Sequence, residues 1–384
     1  MSHLKTIVLY DTPQNRVRTY PMTMLRAVGD LLLGSFTLKD WWAKILAQPV
    51  VLLSEAYLSL PLIPANENGY ICIDASVLPD ERLVEMLLAL KDGEMLEDGN
   101  GLLAYESKTL PKYAEFPIWP GEIKHLETVV RRVNHLFDLV KWNSEAIVAQ
   151  YKYWQKSNDF VGVGNIVIGS DLVVGQNVTA NACTLNTTTG PIIIGNNVTI
   201  MEGVNLRGPL VIMDGAVVKM GAKIYGGTTL GKNTMVGGEI KNSIVMHYSN
   251  KAHDGYLGDA YIGQWCNFGA GTSNSNVKNT GSSVKLWHEE SKSYEYVGNK
   301  AGLIMGDHSL SAINTSFNTG TTLGIFCNVF GEGYANKHVE SFNWGGFERY
   351  QLTDALNHAQ KWIAFKGETL TENYKAIITH IYNK

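Results

Sequence analysis

The feature that most constrains this chain is a period of six. Stepping by six from Ile194 gives Ile200, Leu206, Ile212, Val218, Ile224, Leu230 and Val236, and every one of these positions is aliphatic. Four residues after each lie Val198, Val204, Leu210, Ala216, Ala222, Thr228, Thr234 and Ile240, mostly small or β-branched. Such a repeat fits a triangular coil in which each six-residue step makes one flat side and one corner. The aliphatic residue points into the prism and the small one sits near the corner. No single turn buries its apolar face alone, so turns must stack into a continuous core. The period leads in at Ile168, Val174 and Ala180 and leads out at Met305, Ser311, Phe317, Leu323 and Val329. From about residue 161 to Val329 the spacing therefore predicts a left-handed parallel β-helix built of hexapeptide repeats.

The frame slips in three places. Residues 181–193 push it by two. Residues 241–255 break the aliphatic line, which the spacing resumes at Tyr256, Ile262 and Phe268. Residues 274–302 are polar and read as an arm or hairpin. Slips are where loops leave a rigid scaffold, and such loops carry chemistry.

Outside the coil the pattern changes. Thr6–Tyr10 and Tyr70–Asp74 are short apolar runs suited to buried strands, and helical patterns fall at Leu83–Leu90, Gly121–Asn134 and Ser144–Gln155. Alternating strands and helices point to a Rossmann-like α/β domain with a mostly parallel sheet. Two amphipathic segments near Thr353–Phe365 and Thr369–Tyr382 read as a helical tail covering the coil. The expected organisation is an α/β domain over 1–155, a β-helix over 156–340 and a helical tail over 341–384.

Composition adds exclusions. At 384 residues with net charge −4, nothing favours a nucleic-acid partner. No run reaches the roughly 18 apolar residues of a membrane helix. Cys72, Cys183, Cys266 and Cys327 are widely spaced with no C-x-x-C pair, which argues against a zinc knuckle or redox dithiol. These features lead to the expectation of a cytoplasmic protein without membrane attachment.

The chemistry concentrates between Lys241 and Asn276, KNSIVMHYSNKAHDGYLGDAYIGQWCNFGAGTSNSN. The stretch AHDGYLGDAYIGQWCNFGAGT resembles the acetyltransferase signature of the bifunctional UDP-N-acetylglucosamine pyrophosphorylase/glucosamine-1-phosphate N-acetyltransferase family, whose layout is also an α/β domain followed by a left-handed β-helix. The resemblance implies that His253 is the general base, that Tyr256 and Asn267 contact the sugar phosphate, and that the backbone of Ala270 meets acetyl-CoA. It places Asn276 near the reacting centre and makes Lys241 a phosphate ligand. Lys223 stands where the family has arginine, keeping the charge without the bidentate fork. Ser282 stands where the family has a lysine, for which Lys278 or Lys285 could substitute. Further acyl-CoA contacts fall within 306–320.

The residue types suit this reaction. A histidine titrating near pH 6.5 can take the proton of an attacking amine. A backbone N–H at a glycine-rich corner can stabilise the tetrahedral oxyanion. Lysines can hold a sugar phosphate. The bland readings are solvated lysines at 241 and 251, a structural His247 and a solvated His253. Asp254 beside His253 is an orienting partner only if neighbours in sequence face each other, which is uncommon.

In that family the α/β domain joins a sugar-1-phosphate to a nucleotide, using a glycine-rich loop after the first strand. This sequence has no such loop: TPQNRVRTYPMTMLRAVGDLLLG follows the first strand, and the chain resembles a divergent group of the same two-domain proteins. The resemblance implies phosphate-cradling roles for Arg16, Arg18 and Arg26. It also implies a Mg2+ ligand at Asp74 if the domain is active, although a polar strand end is an equal reading. Sugar phosphate and nucleotide are the implied small-molecule partners, and a homotrimer the implied assembly. Two other functions remain open at this level. One is nucleotidyl transfer with the coil as a trimerisation body, and the other is a non-catalytic scaffold or regulator.

Overall fold

A computed structural model describes residues 4–114, 121–155, 162–346 and 348–384. The start of the coil expected at 156–161 lies outside the described residues. The chain divides into two compact units. The first is Met1–Thr19, Thr23–Leu31 and Phe36–His135; the second is Tyr20–Met22, Leu32–Ser35 and Leu136–Lys384.

In the first unit the apolar run Thr6–Tyr10 is the central strand. It lies parallel to Val50–Leu53 on one side and Tyr70–Asp74 on the other. Ile7, Val8 and Leu9 are fully buried, as expected of a parallel strand covered on both faces. The sheet continues through Gly101–Ser107, Met95–Asp98 and Ile123–His125. Gly101–Ser107 runs antiparallel to both neighbours, so this half of the sheet is mixed. The reason is local: Gly99–Asn100 is a two-residue connection that favours a tight hairpin.

The helix expected over Leu83–Leu90 is present as Val84–Leu88. The one expected over Gly121–Asn134 is absent. That segment supplies the edge strand Ile123–His125, and Asp98 captures its backbone by accepting from the Val130 N–H at 2.7 Å. Its β-branched residues favour an extended chain.

Helix Leu136–Gln150 contains the helical pattern seen at Ser144 and clusters with the second unit rather than the first. Ile147 packs with Val173, Ile193 and Val211 on the outside of one coil wall. Asn143 Nδ2 donates to the Gly227 carbonyl at 2.8 Å.

The rest of the second unit is a three-sided parallel β-solenoid. Two walls are nine- and ten-stranded, and the third is a six-stranded sheet continued by the pair Ser273–Asn274 and Ser316–Phe317. All eight aliphatic positions from Ile194 to Val236 are at most 2% exposed, and so are the eight small positions. The lead-in fails at one place: Val167 is in register with the inward Leu185, so its neighbour Ile168 takes the outward position and is exposed.

The slips are real changes in turn length. Val218 pairs with Val236, eighteen residues on, but Val236 pairs with Lys251, only fifteen on. Residues 274–302 form the expected arm, a hairpin of Val284–His288 with Ser293–Gly298.

The tail forms helices Leu352–Phe365 and Glu372–Asn383. They attach beside a column of left-handed corners stacked turn on turn. Tyr248 stacks on Trp265 at 4.1 Å between centroids, and His308 stacks on Phe326 at 4.5 Å. His308 Nε2 meets the Tyr374 hydroxyl at 3.0 Å, and the Tyr248 hydroxyl donates to Glu368 at 2.8 Å.

Candidate functional site on one edge of the coil

Leu257 and Ile262, the inward residues of two successive walls, are five residues apart, one short of the repeat. Where the six-residue count places Tyr256 inside the prism, the structure places Leu257, which is fully buried, and Tyr256 faces outward. The outward position is what makes the Tyr256 ring available. On the same wall Tyr256 pairs with Glu239, Glu239 with Lys223, and Lys241 with Gly258. Lys223, Lys241 and Tyr256 therefore share one outer face. Lys241 and Lys223 are exposed, and the Lys241 ammonium sits 5.8 Å from the centre of the Tyr225 ring.

Asn276, one rung above, closes a small network. Its Nδ2 donates to the Tyr256 hydroxyl at 3.0 Å and to Asp259 Oδ2 at 2.5 Å, while Asn242 Nδ2 donates to Asp259 Oδ1 at 2.6 Å. Burial, reinforced by Asp259 and Glu239, pushes the Tyr256 phenol up to about 12, so it stays neutral. Gly258 gives the ring its room. A Cβ there would lie 2.2 Å from the Tyr256 oxygen.

His253 stands at the corner just before this wall and is exposed. The corner is held by its backbone. The Asp254 carbonyl accepts from the Gly271 N–H at 3.2 Å, and the Gly255 carbonyl from the Glu239 N–H at 3.2 Å. Gly255 has φ +122°, and a Cβ would fall 2.1 Å from the Thr272 carbonyl, so glycine is required. Ala270 lies at the same corner one turn on, beside Gly271. Asn267 is on the preceding wall, in register with Asn250. The structure thus gathers His253, Ala270, Tyr256, Asn276, Lys241 and Lys223 along one edge and its adjoining wall, with Asn267 on the other side of that edge.

Sequence reasoning missed Arg207. It is exposed on the Lys241 wall, one residue after the inward Leu206 just as Lys241 follows the inward Ile240. The residue after each inward aliphatic faces out, so the repeat itself carried the signal.

Of the bland readings, one needs correction and one agrees with the structure. Lys251 is not solvated: it is 2% exposed. His247 is structural, as its Nδ1 accepts from the Lys232 N–H at 2.9 Å.

In the first unit the carboxyl ends of the parallel strands form the switch point of the sheet, where ligands of open α/β folds bind. Asp74 ends its strand there. Its Oδ1 accepts from Asn15 Nδ2 at 2.7 Å, the Ser76 N–H at 2.8 Å and the Ser76 hydroxyl at 2.6 Å. These bonds leave Oδ2 for a cation, and burial raises the carboxyl above its ordinary range.

Arg16 does not cradle a ligand. It is fully buried, donating to Asp11, Ser54, Glu55, Tyr57 and the carbonyls of Thr23 and Arg26. Its guanidinium pins the loop after the first strand and has no face left for phosphate. Arg26 is buried as well, beside Asp30, and Arg18 donates to Asn134 at 3.2 Å. Among the described residues no group of three or more His, Cys, Asp or Glu side chains converges as a metal site.

Residues 7–159 match the sugar nucleotidyl transferase family. The family match runs past the compact first unit into helix Leu136–Gln150. Over 116 residues the chain is 37% identical to the bifunctional protein GlmU of Methanocaldococcus jannaschii, covering 30% of this chain and 28% of that one. It is 30% identical over 193 residues to the GlmU of Streptococcus agalactiae, covering 45% and 41%. It is 28% identical over 160 residues to a bifunctional sugar-1-phosphate nucleotidylyltransferase/acetyltransferase of Sulfurisphaera tokodaii, covering 36% and 40%. The matches span less than half the length of these relatives. No helix among the described residues is long and apolar enough to cross a membrane.

Proposed function

We propose that the coil transfers an acetyl group from acetyl-CoA to the amine of an amino-sugar phosphate resembling glucosamine-1-phosphate. The observation that carries this reading is the exposed His253 at a backbone-clamped corner, next to a wall presenting Lys223, Lys241 and Tyr256. Lys241, Lys223 and Arg207 hold the phosphate, and Tyr256 and Asn276 hold the sugar hydroxyls. His253 takes the proton of the amine as its nitrogen bonds to the thioester carbon. The C–S bond then breaks and the CoA thiolate leaves, taking a proton. The corner at Ala270 faces the acyl donor, whose remaining contacts fall within 306–320. A homotrimer, which would bring a second prism against this edge, belongs to the same proposal and is checked by sedimentation.

Release of free CoA from acetyl-CoA and glucosamine-1-phosphate tests the reading. Activity in the native chain and its loss in His253→Ala support it, while unchanged turnover in His253→Ala defeats it.

A second activity is favoured by the family match over residues 7–159 and by Asp74 at the switch point. It is transfer of a nucleotidyl group to a sugar-1-phosphate, whose phosphate oxygen attacks the α-phosphorus of a nucleoside triphosphate with loss of pyrophosphate. Asp74 Oδ2 would hold Mg2+, which neutralises phosphate charge when bound. Asn15 and Ser76 hold the carboxylate in place. Pyrophosphate release from UTP and a sugar-1-phosphate, abolished in Asp74→Ala, is the expected result. Absence of both activities, with no binding of CoA or UTP, would leave a scaffold.

A further inference from the structure

Lys251 breaks the rule of the coil interior. Ala180, Ile200, Val218 and Val236 pair rung on rung as one inward column, each at most 1% exposed. The next rung of that column holds Lys251, itself 2% exposed, with Phe268 following on the rung above. An ammonium inside an apolar prism is costly unless its protons are placed. Burial pulls its pKa down to about 8, against the opposing effect of Asp254.

The side chain is aimed at one place. Nζ donates to the backbone carbonyl of His253 at 2.5 Å. The three successive carbonyls of the corner, at His253, Asp254 and Gly255, each accept a hydrogen bond. The latter two are bound by backbone N–H groups of neighbouring turns, and only His253 is bound by a side chain. The corner also lies close over Gly238, where an added Cβ would stand 3.0 Å from the same His253 oxygen. The turn reaching Lys251 is three residues shorter than the regular eighteen. The shortening puts a long polar side chain where the regular repeat has an aliphatic residue.

We propose that Lys251 is a positioning residue for His253, fixing the carbonyl of that residue from inside the prism and so the direction in which the imidazole leaves the corner. The proposal rests on His253 being the base. It separates two jobs in the site. The phosphate and sugar contacts sit on the outer wall, where Lys251 does not reach, so its loss lowers kcat and spares KM for the sugar phosphate.

The test uses the full chain with Lys251→Met, which fits the apolar column, and Lys251→Arg, which restores a donor. Turnover is measured with acetyl-CoA and glucosamine-1-phosphate, alone and in a His253→Ala background. The imidazole resonance of 13C-labelled His253 is recorded for each variant. The expected result is a folded Lys251→Met chain with kcat down tenfold or more and KM for the sugar phosphate within twofold. Its His253 resonance should be shifted or broadened, and Lys251→Arg should recover part of both. In the His253→Ala background, Lys251→Met should have no further effect.

An unchanged His253 resonance in Lys251→Met overturns the proposal whatever the activity. A fall in kcat that persists in the His253→Ala background also overturns it. If the native chain shows no acetyl transfer while the resonance still moves, the acetyl-transfer reading fails and the positioning of His253 stands.

Discussion

Asn276 donates to the Tyr256 hydroxyl at 3.0 Å across one rung of the coil, and the same amide nitrogen donates to Asp259. The phenol is thereby used as an acceptor, which leaves its own proton for a ligand on the outer wall. Tyr256→Phe removes that donor and leaves one amide bond unmade. KM for the sugar phosphate should rise about tenfold, corresponding to ~1–1.5 kcal/mol for one hydrogen bond, with the melting temperature little changed. Steady-state kinetics with glucosamine-1-phosphate checks this.

Gly258→Ala is expected to mimic that loss by another route. The added methyl would meet the Tyr256 ring 2.2–2.6 Å away, so the ring must swing off the wall. Because a flexible side chain yields before the coil does, the variant should fold and show a raised KM. Crystallography of the variant would locate the displaced ring, and a ring in its original place would contradict the argument.

The cations of the wall should act as phosphate ligands through charge. Lys241→Ala should weaken sugar-phosphate binding by ~1.5–3 kcal/mol, the range of hydrogen bonds to charged groups. Lys241→Arg should retain most of the affinity, and Arg207→Ala should give a smaller loss because it sits farther from Tyr256 along the wall. Titration calorimetry at two salt concentrations reads both effects, as exposed ion pairs weaken with salt.

Arg16→Ala should destabilise the first unit rather than its ligand binding. Removing one partner of a buried charge pair costs about 3–5 kcal/mol. Asp11, which also accepts from Ser54 and the Val28 N–H, would be left buried with its countercharge gone. Thermal unfolding should show the loss. Arg16→Lys should rescue little, since a lysine cannot make the guanidinium's six contacts.

Lys251 gives the coil a pH dependence of known sign. Its folded pKa, about 8, lies below the unfolded value of 10.5. Between these values the unfolded chain holds the proton more firmly, so this residue makes stability rise as pH rises through that window. Below pH 8 the buried ammonium is a constant cost. Subtracting the Lys251→Met unfolding curve from that of the native chain between pH 7 and 10.5 isolates the cost, which should stay level up to about pH 8 and shrink from there to 10.5.

The coil was legible in the chain because a solenoid is nearly one-dimensional. Each inward residue touches the residue one turn away, so Ile200, Val218 and Val236 announce themselves by spacing alone. The same spacing failed where a turn changed length. It could not tell that Tyr256 turns outward, Leu257 inward and Lys251 into the core, because three missing residues can be absorbed at any corner. The first unit was less legible. The hairpin between Met95 and Ser107 and the strand at Ile123 depend on pairing with distant residues, and Asp98 overrode the helical pattern of 121–134 by binding its backbone.

What the sequence by itself determined was the period, and with it the triangular coil and its inward aliphatic columns as far as Val236, while His253 stood out by its resemblance to a signature and not by spacing. Only the tertiary structure decided which polar side chains are spent on the fold itself. Arg16 and Lys251 look in the sequence like surface cations, but both are buried, spending their protons on carbonyls and carboxylates that the folded chain brings to them. A charged side chain is assigned by what surrounds it, and those surroundings run from a carbonyl in Lys251's own corner to loop residues as far along the chain from Arg16 as Ser54 and Tyr57.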